Sequence, residues 1–459
     1  FQPGLSLIRL SKNAGVFTAL KLNSLELLAA LIQIGTDIDS YCSGLTCLIA
    51  ACALNNELFV NKLIDSGASL KATSRKRSSS FRSIQFPRGT TALMAACRRG
   101  NIEIVKKLLR ISHDNAILDA ADLNGWTSLI YASMHGHDDV VLELVKAGAN
   151  VDKSSSSVLK YGDKNFDEGT TALMVSSAAG QTKVIQTLIQ EGLAEIDGKT
   201  LGGRTALFFA CRHGKLEAVI ELMRAGACVQ TKTATESPLT SAIFWGHEDV
   251  VKELIMAGAD LHSPIDGWTP MMWAANQANP SIVSILVEAN ASVSGTDGEG
   301  QSVLHLAAVN GNEEIVAQLA RAGASLQAKE EGLTTRRTAL EVGVWEGHAG
   351  TVRALLEAGA KLEGTDLDSL MLVARENLTN EEVDREDAEE IVELLNQHGA
   401  QKLLIKRQKS EQWKKYVMVG IMIWILMLPY PEFLLLSCIL LFFVFLMKAF
   451  CSKYLFDSK

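Results

Sequence analysis

Two kinds of apolar stretch alternate along this chain. One is a short run of small and apolar residues, as in Leu93-Met94-Ala95-Ala96-Cys97. The other is a stripe at helical spacing, as in Val140, Val141, Leu144 and Val145. The first predicts a helix whose neighbours approach closely; the second predicts an amphipathic helix with one buried face. A Thr or Ser precedes each short run and can cap the free N–H groups of the helix, Thr127 and Thr205 being examples. Gly100, Gly136, Gly180, Gly214, Gly246, Gly311 and Gly347 close that helix, where a left-handed backbone is cheapest for glycine. The stripe stops at Gly148-Ala149, and likewise at Gly226-Ala227, Gly258-Ala259, Gly323-Ala324 and Gly359-Ala360.

These signals recur in phase. The unit runs from Gly89 to Gly100, then Gly125 to Gly136, Gly169 to Gly180, Gly203 to Gly214 and Gly300 to Gly311, with looser copies near Gly44, Glu236, Gly267 and Arg336. Its hydroxyl anchors are Thr46, Thr91, Thr127, Thr171, Thr205, Ser237, Thr269, Ser302 and Thr338. Their spacings are 45, 36, 44, 34, 32, 32, 33 and 36. The base period is therefore about 33 residues, with insertions in the first and third intervals. This pattern resembles the ankyrin repeat over residues 44–400. The resemblance implies an all-α solenoid of about nine to eleven helix-pair repeats with short β-turn fingers. No single copy can bury its apolar face, so stability becomes a sum over neighbours. The family's T-P-L-H signature is diluted: Pro follows the anchor only at Pro238 and Pro270, and His stands fourth only at His305.

The ends and insertions are atypical. Residues 1–43 read as a degenerate capping repeat, with a helix-two-like stretch from Leu25 to Ile34. Ser369 to Ala374 and Ile391 to Ala400 read as a last helix pair, separated by an acidic turn extension over 376–390. The insertion 71–88 carries Lys71, Arg75, Lys76, Arg77, Arg82 and Arg88 among serines. It reads as a mobile solvated loop or as a regulatory segment, since Arg75-Lys76-Arg77-Ser78 suits a basophilic kinase and phosphate on Ser78 would cancel local charge. The insertion 153–168 opens with serines 154–157 and reads as a flexible loop.

A basic linker, 401–415, precedes an almost wholly apolar segment, 416–450, and a tail, 451–459. The apolar segment is broken by Pro429, Pro431 and Glu432, which stop helix propagation. Each arm spans roughly 20 Å at 1.5 Å per residue, short of the roughly 30 Å hydrocarbon core. The readings are a membrane hairpin of two short helices, a re-entrant wedge, or a kinked single span that would bury Glu432. Lysines and arginines on both flanks favour the hairpin, with the array and both hairpin ends facing the cytosol at an intracellular or plasma membrane. Cys451 is a candidate for lipidation. The order of basic stretch, paired apolar arms and Ser452-Lys453-Tyr454-Leu455-Phe456-Asp457 is similar to the start of the membrane part of ankyrin-repeat DHHC palmitoyltransferases. That resemblance implies a non-catalytic front part, because the Asp-His-His-Cys motif is missing. An ankyrin-bearing cation channel is a further alternative.

Composition narrows the function. The 459 residues carry a formal net charge of −8, which gives no reason to expect nucleic acid as a partner. Eight scattered cysteines without a CxxC pair fit a reduced environment. The chain begins at Phe1, which reads as a fragment or a processed product. There is no GxxxxGK[ST], HExxH or GxSxG, so neither a catalytic residue nor a cofactor or metal is expected. His135 and His137 occupy a turn position that ankyrin repeats often fill with His.

The ankyrin resemblance implies a protein or peptide ligand on a concave face made by finger turns and the ends of the first helices. Mapped onto this sequence, it implicates Arg98, Arg99, Met134, His135, Arg212, His213, Phe244, Trp245, Asn276 and Trp345 at helix ends. Leu123, Asn124, Trp126, Arg204 and Trp268 fall on the fingers. Trp and Arg are the types richest in binding hot spots, though each Trp can equally pack between repeats. Arg98, Arg99 and Arg212 make an acidic partner the expectation toward the N-terminal half.

Overall fold

The computed structural model describes residues 15–75, 78–81, 84–112, 115–330, 336–361, 367–378 and 383–399, with Gln412, Lys414–Tyr416, Met418 and Val419. The apolar segment 416–450, apart from three of its residues, and Cys451 lie outside these. Among the described residues, no helix is long and apolar enough to cross a membrane.

The chain divides into two compact units at Asp266 and Gly267. The first holds helix pairs α1 (Gly15–Leu22) with α2 (Leu25–Gln33), and α3 (Cys47–Ala53) with α4 (Glu57–Asp65). Then come α5 (Ala92–Arg99) with α6 (Ile102–Ile111), a single turn α7 (Asn115–Leu118), and α8 (Ser128–His135) with α9 (Asp138–Lys146). It ends with α10 (Ala172–Ala179) and α11 (Thr182–Gln190), α12 (Ala206–Arg212) and α13 (Leu216–Arg224), and α14 (Pro238–Phe244) and α15 (Glu248–Met256). The second unit holds α16 (Pro270–Asn276) with α17 (Pro280–Glu288), α18 (Val303–Val309) with α19 (Glu313–Arg321), and α20 (Ala339–Glu346) with α21 (Ala349–Glu357). A last pair is α22 (Leu367–Asn377) with α23 (385–399).

Most of the hydroxyl anchors work as caps, Thr171 being one that makes no side-chain cap bond. Thr91 Oγ1 accepts from Met94 N at 3.2 Å, and Thr127 and Thr205 do the same for Ile130 and Phe208. At Ser302 the hydroxyl instead meets His305 Nδ1 at 2.7 Å, and His305 Nε2 reaches Arg337 O of the next repeat at 3.0 Å. Because Nδ1 accepts from Ser302 N, the ring is the Nε2–H tautomer and donates to that carbonyl. The inter-repeat bond of the family's histidine thus survives at its single occurrence.

Within the first unit, first helices pack on first helices, α3 on α5, α5 on α8, α8 on α10, α10 on α12 and α12 on α14. In the second unit α16, α18, α20 and α22 do the same. Every residue of α3 is buried, which is why this layer is built of Cys, Ala and other small or apolar side chains. Second helices bury only their stripes, as Val140, Val141 and Leu144 do in α9. A ladder of finger side chains ties neighbours in the first unit. Asp39 accepts from Ser69 N, Asp119 from Asn150 N, Asp152 from Glu195 N and Asp197 from Cys228 N, each near 3.0 Å.

Three sequence expectations change. The insertion 71–88 is not a loop throughout: β3 (Ser78–Phe81) pairs antiparallel with β4 (Ile84–Pro87), and among the described residues β1 (Tyr41–Cys42) and its partner β2 (Leu45–Thr46) precede them. The insertion 153–168 likewise folds, as β5 (Leu159–Tyr161) paired with β6 (Lys164–Phe166). Each places one aromatic ring in the core, Phe86 and Phe166, so burial overrides the flexibility implied by their serines. In the acidic stretch 376–390 the ends are helical, α22 running to Asn377 and α23 starting at 385, while 379–382 lie outside the described residues. There Asn377 Nδ2 donates to Val344 O at 2.9 Å and Arg353 pairs with Glu390, which docks the last pair on the preceding one.

Candidate functional site

The helix-end positions fall into two groups, one covered by the chain itself and one open. The covered group surrounds Trp126. Its ring is fully buried, stacked on Tyr161 at 5.3 Å and edge-on to Tyr131 at 5.2 Å and Phe166 at 5.9 Å. Asp122, at the finger before α8, accepts from Trp126 N at 3.0 Å and from the Tyr131 hydroxyl at 2.6 Å. Burial pushes the Asp122 carboxyl up, while the bonds from Tyr131 and the backbone hold it back. Burial and the neighbouring Asp122 push the Tyr131 phenol well up as well. His135 meets the Tyr161 hydroxyl at 3.0 Å, and the Arg98 guanidinium lies between the rings of Phe86 and Tyr161, at 5.9 and 5.8 Å.

Several residues expected to contact a partner already make contacts within the array. Trp126 is core, and Met134 is buried as well. Arg204 binds both carboxylate oxygens of Asp167 at 2.8 Å and lies over Phe208, so it braces the β5–β6 finger against α12. Arg99 is exposed, but its Nε donates to Ala53 O at 2.6 Å. Asn124 is half-buried and its carbonyl accepts from Ser156 N. Asn276 is half-buried and its carbonyl takes the Asn310 amide. Trp268 lies half-buried against Trp273 at 5.1 Å. Ser78 lies in β3, opposite Pro87, and its side chain is outside the described residues.

The open group is smaller. In the first unit Phe244 and Trp245 are 43% and 52% exposed, set edge-to-face at 5.5 Å, and Arg212 lies over Trp245 at 5.6 Å. Leu123 is exposed on its finger. In the second unit Trp345 is 55% exposed with Arg337 at 5.4 Å.

Sequence reasoning missed Asp122, Tyr131, Tyr161 and Phe166. Tyr161 and Phe166 flank Gly162-Asp163, a hairpin turn signal, but the serine run before it drew the reading toward a loop.

Two histidines in this region are held neutral. His135 is pushed down to about 4 by burial, then by the charges of Arg98, His137 and Arg99. His213 is pushed down to about 4 by burial, then by Lys164 and Arg212. A base whose folded value lies below its unfolded 6.5 takes up protons on unfolding, so its contribution is complete above pH 6.5 and is lost as pH falls toward 4. The thermal midpoint is expected to fall across that window. His135→Gln, which cannot titrate, should flatten the fall; an unchanged slope would show that His135 is not the group responsible. The rings of His135 and His137 lie stacked at 6.1 Å. Among the described residues, no three His, Cys, Asp or Glu side chains gather as metal ligands would. Burial pushes the Cys47 thiol up to about 12 and raises Cys52, Cys97 and Cys211, so these remain packed thiols.

A family model for ankyrin repeats (3 copies) matches residues 74–155, 157–233, 193–265, 239–330 and 295–366. The chain belongs to the ankyrin-repeat family. Similar proteins include an ankyrin repeat and KH domain-containing protein, mask-1, of Caenorhabditis elegans, 29% identical over 52% of this chain and 10% of that protein. The E3 ubiquitin-protein ligase KEG of Arabidopsis thaliana is 27% identical over 63% of this chain and 18% of its own length. A putative palmitoyltransferase, ZDHHC13, of Danio rerio is 31% identical over 46% of this chain and 31% of its own length. The ankyrin array thus aligns with a tenth to under a third of each relative.

Proposed function

We propose that this chain is a membrane-anchored scaffold whose ankyrin array recruits a protein or peptide, with the segment 416–450 fixing it to an intracellular or plasma membrane and the array facing the cytosol. Ankyrin repeats are protein-binding modules rather than catalysts, and the array carries the scaffold part of the reading. The observation that carries the site is the exposed Phe244–Trp245 pair with Arg212 across it. A large apolar surface left open beside a cation is the composition of a binding hot spot. Arg212 keeps an acidic partner in the proposal, whereas Arg98 is already engaged by Phe86 and Tyr161. The anchor rests on the sequence: an apolar segment with basic residues on both flanks.

The test has two arms. Affinity capture from native membranes, with the intact chain and with a variant cut at about residue 410, identifies the partner and assigns the anchor. Phe244→Ala with Trp245→Ala should then weaken partner binding about tenfold or more and change unfolding free energy by under about 1 kcal/mol. Undiminished binding would remove this surface from the account. An intact chain that stays in the supernatant after fractionation would remove the anchor.

A second reading is the non-catalytic front part of an ankyrin-repeat DHHC palmitoyltransferase. It is favoured by the similarity to the Danio rerio protein together with the basic stretch and paired apolar arms that follow the array. A full-length transcript decides it: a cysteine-rich segment carrying Asp-His-His-Cys downstream of Lys459 supports this reading, and a stop codon there supports the scaffold.

A further inference from the structure

The β5–β6 hairpin makes contacts of the kind a bound peptide would make. Tyr161 is held on three sides by other parts of the array: stacked on Trp126, bonded through its hydroxyl to His135, and covered by the Arg98 guanidinium. Those three residues come from the finger before α8 and from the last turns of α8 and α5. The hairpin also lies close enough to α12 for Lys164 and Asp163 to bear on the charge of His213 at its end. Burial follows this path. At the same helix-end position, Met134 and Ala178 are 8% and 0% exposed, whereas Phe244, farther along the same unit, is 43% exposed.

The two strands are held unequally. β6 is anchored by Phe166, fully buried against Trp126 and Phe209. β5 is held at its end by Tyr161, which is only half-buried. They are joined at Gly162, whose φ of +63° and open surroundings make it a free turn. Lifting Tyr161 would uncover Trp126 and leave the Phe166 anchor in place.

We propose that β5 is an intramolecular ligand of the ankyrin array, and that the surface it covers takes in trans a partner strand presenting a tyrosine closely followed by a carboxylate. Tyr161-Gly162-Asp163 is the template for that strand. The cations at the helix ends, Arg98 over Tyr161 and Arg212 beside His213, supply the complement for the acidic part. Asp163 of the hairpin is answered by Lys164 at 2.9 Å, so a partner without that lysine would meet those cations with its full charge. A tethered segment competes at an effective concentration of the order of millimolar, so the covered surface favours partners that exceed the hairpin's own weak grip. The inference rests on the reading of the array as a protein-binding module, but its test needs neither the native partner nor the Phe244–Trp245 surface.

The probe is a fluorescein-labelled peptide with the sequence of residues 157–164, titrated by anisotropy against the full chain and against its Tyr161→Ala variant. The variant should bind the peptide about tenfold or more tightly than the parent does, and a peptide with alanine at the tyrosine position should bind neither. Equal binding by both proteins, or none by a variant whose circular dichroism matches the parent, overturns the proposal. Hydrogen exchange of the parent is the second measurement, independent of whether the variant folds. The amides of Leu159–Tyr161 should exchange through local opening, well before those of α8 and α10. If they exchange only with the helices, the hairpin is a fixed brace and the proposal fails.

Discussion

Replacing Trp126 by alanine is expected to lower the unfolding free energy of the array by about 3–5 kcal/mol, the range for large aromatic truncations in packed cores. The ring is fully buried and touches three other aromatic side chains, and two of them, Tyr161 and Phe166, come from the β5–β6 hairpin. Its loss therefore empties a cavity and also releases β5 from the array. In a repeat protein the interface between neighbours is a term in the stability of both, so the urea transition should broaden as well as shift. Trp126→Phe should recover much of the loss, since the indole Nε1 has no protein partner in the described structure and a ring of similar shape keeps the stacking. Trp245→Ala is the control, because its ring is half exposed, and it should cost under about 1 kcal/mol. If Trp126→Ala costs no more than Trp245→Ala, the aromatic cluster is not a packed core.

That pair also shows what a sequence can and cannot carry. Gly125-Trp126-Thr127 and Gly267-Trp268-Thr269 are the same tripeptide at the same point of the repeat. One tryptophan is fully buried, the other half-buried. Local sequence is identical, so the difference lies in the neighbours: a strand pair stands beside the first, and Trp273 beside the second. The helix pairs were legible because their signals are local and repeated. A hydroxyl cap, a small-residue run, a glycine stop and a helical stripe each act within one turn or two, and nine anchors in phase reinforce one another. The β-hairpins were not, because strands of three or four residues show too few alternations to outweigh four serines. What stabilises them is tertiary, the burial of Phe86 or Phe166 in the core.

The candidate site was legible by position and not by exposure. Family geometry pointed to the helix ends, and the structure does place Arg98, Met134, Arg212, Phe244 and Trp345 there. It divides them by what covers them. Arg204 illustrates the error: an arginine on a finger reads as a ligand contact, yet Asp167, thirty-seven residues earlier in the chain, takes its guanidinium from both oxygens.

Gly100→Ala is expected to cost about 2–4 kcal/mol, whereas Gly148→Ala should cost about 1 kcal/mol, although both glycines have positive φ. At Gly148 an added Cβ would meet nothing within 4 Å, so only the left-handed strain is incurred. At Gly100, with φ of +73°, the Cβ would lie 2.3 Å from Nδ1 of His137. That ring cannot step aside without cost, because its Nε2 reaches Arg98 O at 3.3 Å across the repeat interface. Gly214 under His247 and Gly311 under His348 repeat the arrangement, at 2.5 and 2.7 Å. The turn histidine therefore needs a glycine in the preceding repeat as much as the helix needs one to end. A double-mutant cycle separates the two demands. His137→Ala placed on Gly100→Ala should return the steric part of the loss, giving a coupling of about 1–3 kcal/mol, and the same cycle at Gly148 should give none. Equal losses at the two glycines would mean that the histidine yields freely, and that the bond it makes to Arg98 does nothing to hold α5 in register beneath the hairpin.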